Sequence, residues 1–219
     1  LRLRGCTHMV GPSSFGGNDY PGILVGRFEV PAAVYQGHTP PYYLVFAERA
    51  GWTVSSDTLA YRFDARRAGK QLELLPGKLL HVAERASRNP RCRLRHAELA
   101  NFDRDLGIVL RIYNRSLSTL PDFTPMGEDE LRRFADSLRP ILDEELIWFA
   151  LVDGREVGFS LALPNVAEAF QRCGGLRYPW QVLQLAGAMR RIRSVSFKIL
   201  AVEPEFWGMG LEAMMFARI

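Results

Sequence analysis

The stretch Ser194 to Ala217 constrains this chain more than any other. It opens on an apolar, β-branched run, Ser194 to Val202, of strand character. Pro204 closes the run, because proline brings no N–H to a ladder. Trp207-Gly208-Met209-Gly210 follows as a glycine-broken turn, and beyond it Leu211, Met214 and Met215 recur at helical spacing. A strand that leaves a sheet through glycines and coils into a helix aims backbone N–H groups at one point, an arrangement suited to an anion. At Gly208 and Gly210 a Cβ would keep such an anion from approaching the backbone.

The residues upstream of this stretch read as a sheet with helices. Cys92, Leu94 and His96 alternate with Arg91, Arg93 and Arg95, the pattern of a half-buried strand. Phe102 to Leu117 carries Leu106, Leu110, Tyr113 and Leu117 on one helical face, with Asn101 placed to cap it. Glu128 to Leu138 is a second helix, led by acids as the helix dipole favours. Leu146 to Val152 and Glu156 to Leu163 flank Asp153-Gly154, a two-residue hairpin signal. Helical stretches near Val166 to Arg172 and Trp180 to Arg191 come before the last strand. Residues 91–217 thus give strand, helix, helix, strand, hairpin, strand, a helical insertion, strand, glycine turn and helix.

The first part of the chain is separate in pattern. Ser13 to Gly22 is dense in turn formers, and Asn18-Asp19 belongs to that turn. Pro40-Pro41 opens a helix over Tyr42 to Ala50, with Gly51 as its C′ residue. Trp52 to Phe63 is expected to be a strand. Residues 65–90 read as a connector: Arg66 to Lys70 is polar, and Leu74 to Arg88 has helical spacing, with Leu75, Leu79, Val82 and Ala86 on one stripe.

Leu200-Ala201-Val202-Glu203-Pro204, followed by Trp207-Gly208-Met209-Gly210-Leu211, resembles the coenzyme-binding motif of GCN5-related N-acetyltransferases. The element order over residues 91–217 is similar to that family from its first strand to its cofactor-binding helix. The helix, Ala50-Gly51-Trp52 and strand near the N-terminus are similar to the end of such a domain. The fold expected from the resemblance is α+β, a three-layer arrangement of a mixed, mainly antiparallel sheet flanked by helices. It is expected in parts of two such domains: 1–64 as the C-terminal part of a first, 65–90 as a linker, and 91–219 as the N-terminal part of a second. On this reading the chain is a piece of a longer, tandem protein.

The activity that the resemblance implies is N-acyl transfer from acetyl-coenzyme A to an amine of a small molecule or protein. The implied cofactor contacts are Leu200 and Val202 along the pantetheine arm, with Trp207, Gly208, Met209, Gly210 and Leu211 around the pyrophosphate. Three positions depart from the family pattern. Trp207 stands where Gln or Arg is usual, Glu212 where Gly or Ala is usual, and Ala47 where a tyrosine acid often lies, Tyr42 and Tyr43 being off-register. These departures keep a second reading open, a non-catalytic relative that serves as a binding or interaction module. Glu203 and Glu168 are the candidate general bases.

Composition narrows the classes further. Hydrophobic residues at 47% and charged residues at 24% suit a globular domain with a core. No apolar run reaches the roughly 18–20 residues of a membrane span, and no membrane partner is expected. Cys6, Cys92 and Cys173 are sparse and odd in number, which points to reduced thiols and a cytoplasmic setting. The four histidines lack zinc-ligand spacing, so no metal is expected. From Ala169 to Val202 there are six basic residues (Arg172, Arg177, Arg190, Arg191, Arg193 and Lys198) and no acidic one. That run reads either as a positive rim for a phosphorylated cofactor or as a solvated helix face. The net charge of +4 is too mild to suggest nucleic acid.

Overall fold

The structure, a computed structural model, describes residues 5–12, 22–63, 77–120, 123–174 and 176–219. The turn-rich stretch at 13–21, the polar part of the connector at 64–76, and Asn18-Asp19 with them, lie outside the described residues. The chain divides into two compact units. One holds the residues up to Arg62 together with Val166–Arg191, and the other holds Phe63–Asn165 and Ile192–Ile219.

The larger unit is a four-stranded antiparallel sheet between helices, a mixed α+β arrangement. Its strands are β1 (Cys92–His96), β2 (Ile147–Val152), β3 (Arg155–Pro164) and β4 (Val195–Val202), in spatial order β1-β2-β3-β4. The β2–β3 turn is Asp153-Gly154, with φ of 51° and 81°, the left-handed pair that a tight hairpin needs. Pairing places Phe149 opposite Phe159 and Gly158 opposite Val202, with irregularities between Ala150 and Leu151 and between Leu161 and Ala162. β4 is an edge strand, and among the described residues no strand pairs with its outer side.

Each sheet face is covered by different helices. On one, α3 (Phe102–Leu117) lays Ile112 and its neighbours Ile108, Val109 and Tyr113 against Phe149, Phe159 and Ala201. Ile112, Phe149 and Phe159 are all at most 2% exposed, each contributing about 1.5–3 kcal/mol of burial. α4 (Glu128–Leu138) backs α3 through Leu131 and Ala135 against Leu106. On the other face, α7 (Leu211–Phe216) sets Leu211, Met214 and Met215 against Ala150, Val157 and Val202, and α2 (Gly77–Ser87) adds Ala86. Asn101 does not cap α3 with its side chain; a 3-10 turn, Leu99–Asn101, leads in, and Asn101 Nδ2 donates to Glu98 instead.

The smaller unit contains α1 (Tyr42–Arg49), α5 (Ala167–Cys173) and α6 (Pro179–Met189). α1 ends as a Schellman motif: the Trp52 amide donates to Ala47 O at 3.0 Å and Gly51 N to Glu48 O at 3.0 Å, with Gly51 at φ 80°. The strand expected at Trp52 to Phe63 does not form; these residues are exposed and join no ladder. Alternating apolar residues make a strand only when a neighbouring strand takes up their backbone groups, and among the described residues none does.

Candidate functional site

The site expected from the sequence is the exit of β4. The Val202 carbonyl accepts the Trp207 indole N–H at 2.8 Å, so the ring folds back and fastens the turn to the strand end. A 3-10 turn, Pro204–Phe206, separates the two. Gly208 and Gly210 have φ of 81° and 80°, left-handed values that an L side chain reaches only at a cost. The Trp207 and Met209 amides are taken by Pro204 O at 3.2 Å and Phe206 O at 3.4 Å. The amides of Gly208, Gly210 and Leu211 have no hydrogen-bond partner among the described residues.

The two glycines differ in surroundings. Gly208 is exposed, and a Cβ there would meet nothing within 4 Å. Gly210 is buried, and a Cβ would lie 2.9 Å from Val82 Cγ1 and 3.1 Å from Ala86 Cβ. The close approach that glycine permits at 210 is therefore made by helix α2. Leu211 has no exposed surface and Val202 is 3% exposed; both are core residues. Leu200 is half-buried, packed against the core cluster on the α7 side of the sheet, and Met209 packs there too.

Of the predicted contacts, Gly208 and Met209 meet in a cleft of about 610 Å³. Its other wall is the end of α2 and the segment after it: Arg85, Arg88, Asn89 and Pro90, with Val82 and Ala86 at the base. Arg88 pairs with Glu84 one turn back, while Arg85 is exposed and has no partner among the described residues. The sequence places these two arginines only in a connector. The signal was faint: the stripe Leu79, Val82, Ala86 puts Arg85 and Arg88 on its margins, but nothing local says what that stripe packs on. The basic run between Ala169 and Val202 is split, with Arg193 and Lys198 in the sheet unit and the other four in the smaller unit. Burial pulls the Lys198 amine below its ordinary pKa.

Glu203, a candidate general base, is fully buried. Its carboxylate accepts from Arg111 and from Arg155 Nη2, the latter at 2.7 Å, and its amide donates to Val157 O at 2.8 Å. Through these charge-assisted hydrogen bonds Glu203 ties the strand end to α3 and β3. Glu168 stands in the first turn of α5, half-buried, with Arg172 3.7 Å away. Glu212 lies half-buried in the first turn of α7. Burial raises the Cys92 thiol above its usual pKa, against any role as a nucleophile. Among the described residues no three metal-ligating side chains cluster.

No protein-family model matches the chain. It is 30% identical over 211 residues to the bacterial ceramide synthase of Caulobacter vibrioides, an alignment covering 94% of this chain and 52% of that protein. It is 25% identical over 208 residues to protein YghO of Escherichia coli K12, with the same coverage of each. The chain spans about half the length of the curated relatives it matches. Among solved structures it is similar to an N-acetyltransferase from Staphylococcus aureus Mu50, at a TM-score of 0.36 and 17% identity over 58% of this chain and 62% of that one. A mutant agmatine N-acetyltransferase in its apo form gives a TM-score of 0.35 and 13% identity, covering 58% and 67%.

Proposed function

We propose that this chain is part of an N-acyltransferase that moves an acyl group from an acyl-coenzyme A thioester to the amine of a long-chain amino lipid. The observation that carries the reading is the cleft that Gly208, whose amide has no partner among the described residues, lines together with Arg85 and Arg88. Backbone N–H groups and guanidinium groups converging on one space suit a diphosphate. Among the described residues no strand pairs with the outer side of β4, which supports it, since a pantetheine arm could pair there as a further strand would. Leu200 and Val202 would shape that edge, and Trp207, Met209, Gly210 and Leu211 would hold the turn in which Gly208 approaches the phosphates.

The acceptor class rests on the relative's name. A ceramide is the amide of a fatty acid and a long-chain amino alcohol, so a ceramide synthase forms an amide between those groups. In the reaction the amine nitrogen attacks the thioester carbonyl, the C–N bond forms and the C–S bond breaks. Coenzyme A leaves as the thiolate, and the proton lost by the amine restores its thiol. Glu203 is held by arginines and is not assigned as the base. Acetyl-coenzyme A is the shortest donor of this class. We place the reaction in the cytoplasm, which the free thiols Cys6, Cys92 and Cys173 suit. The arrangement we infer is a tandem one: residues 1–64 end a first acetyltransferase-like domain, 65–90 link, and 91–219 begin a second.

The test is calorimetry of the full-length protein with acetyl- and palmitoyl-coenzyme A, followed by product analysis with a long-chain amino alcohol. Binding that is lost in Arg85→Ala, together with amide formation, supports the reading. No heat with either thioester at millimolar concentration sinks it. A second reading, a binding module without turnover, is favoured by Trp207, whose N–H is committed to Val202 O. Coenzyme A binding with no amide product from any amine would select it.

A further inference from the structure

We propose that the outer face of α6 docks on the surface of a membrane rich in anionic lipid. The helix Pro179–Met189 contains no charged side chain. Apart from Gln181 and Gln184 its side chains are apolar or aromatic, and a helix with so little polar surface belongs in a core or against lipid. Only Ala188 on it is buried, while Trp180, Val182 and Leu183 are 57%, 58% and 79% exposed. Its inner side is held to α5, where Gln181 Nε2 donates to Cys173 O at 3.0 Å, so the outer side is fixed in orientation. Tyr178 stacks on Trp180 with ring centroids 4.6 Å apart and planes 5° off parallel, a flat aromatic ledge beside the apolar face. Rings with an apolar body and a polar edge favour the headgroup boundary.

Charge selects among possible occupants. Arg177 precedes the helix, Arg190 and Arg191 follow it, and all three are exposed. No acidic residue occurs between Ala169 and Val202. A second copy of this face would set arginine against arginine, which disfavours self-association. An anionic bilayer meets both requirements, an apolar interior for Trp180 and Leu183 and negative headgroups for the flanking arginines. At about 1.5 Å per residue α6 is far shorter than the roughly 30 Å hydrocarbon core, so it lies in the interface and does not cross. Among the described residues no helix is long and apolar enough to cross a membrane, and docking of this kind needs none. The proposal does not depend on the acyltransferase reading, since vesicle binding is measured without coenzyme A or an amine.

The experiment is flotation of the full-length protein with vesicles of phosphatidylcholine alone or of equimolar phosphatidylcholine and phosphatidylglycerol. The protein is expected to float with the anionic vesicles at low salt, to stay behind with the neutral ones, and to be released by high salt. Trp180→Ala with Leu183→Gln is expected to lower partitioning by about tenfold or more. Arg190→Gln with Arg191→Gln is expected to lower it by about tenfold and to flatten the salt dependence. Leu183→Gln alone, a change at a solvent-facing position, checks the face should the double variant fold poorly. Absence of flotation with anionic vesicles overturns the proposal. So does flotation that the face variants leave unchanged, or a face that proves to be covered by protein, seen as a change in oligomeric state in those variants without lipid.

Discussion

Arg155 Nη2 lies 2.7 Å from Oε2 of Glu203, a carboxylate with no exposed surface, while Arg111 holds its other oxygen. One side chain thereby joins the end of β4 to α3 and β3, just ahead of Pro204. The energetics are asymmetric, because the arginine side chains are 35% and 51% exposed and the glutamate is not. Glu203→Ala frees two cations that water can reach, and is expected to cost about 2 kcal/mol. Replacing Arg111 and Arg155 together by methionine leaves the buried carboxylate only Arg115, 3.8 Å away, and is expected to cost about 3–5 kcal/mol. Urea denaturation of the three proteins measures the order. A Glu203→Ala loss larger than that of the double variant contradicts it.

Gly210 and Gly208 share a backbone conformation but not an environment, so alanine should separate them. At both, a left-handed residue costs about 1–2 kcal/mol. At 210 the new Cβ also presses on Val82 and Ala86, adding about 1–3 kcal/mol of overpacking. Thermal melts should therefore rank Gly210→Ala below Gly208→Ala. Val82→Ala in the Gly210→Ala background should recover part of the packing loss and none of the backbone loss. Equal melting temperatures for the two alanine variants would show that α2 does not rest on Gly210.

Arg85 and Arg88 are expected to act on ligand affinity and not on stability, as both are exposed. Each charge-assisted hydrogen bond to a phosphate contributes about 1.5–3 kcal/mol, so Arg85→Ala should weaken coenzyme A binding by about tenfold or more. Arg88→Ala should have a smaller effect, since Glu84 already engages that guanidinium. Calorimetry at two salt concentrations checks both, and the melting temperatures should match the parent protein.

The hairpin gives a pH prediction. The side-chain hydrogen bond from Arg91 holds the Asp153 carboxyl below the usual carboxylate range. A depressed pKa means stability that is fully present above the unfolded-state value, about 3.9, and lost as pH falls through the folded value. The difference in urea midpoint between the parent and Arg91→Gln should be constant near neutrality and shrink only in that acid window. An NMR titration should show the Asp153 carboxyl returning towards its ordinary value in Arg91→Gln.

How much of this could be read from the residues depends on whether the cause was local. The α3 stretch Phe102 to Leu117, the Gly51 cap and the Asp153-Gly154 hairpin were legible, since periodicity and turn chemistry act within a few residues. Trp52 to Phe63 has strand composition but, among the described residues, no neighbour to pair with, and a neighbour is not a property of the segment. The burial of Glu203 depends on Arg111 and Arg155, which lie far away in the chain. For the same reason Arg85 and Arg88 passed as connector residues, as only the packing of Val82 and Ala86 on Gly210 brings them to the turn.

Ser160 offers the last prediction. Its side chain has no exposed surface, and among the described residues neither Ser160 Oγ nor Nε1 of Trp148, its cross-strand neighbour in register, has a hydrogen-bond partner. An enclosed hydroxyl without a partner keeps its desolvation cost and returns nothing for it. Ser160→Ala removes that cost with almost no change of volume, so it should leave stability within about 1 kcal/mol of the parent or raise it. This is opposite in direction to most core substitutions, which destabilise. A loss of more than about 2 kcal/mol in urea denaturation would mean that the Ser160 hydroxyl has a partner, such as an ordered water bridging it to Trp148.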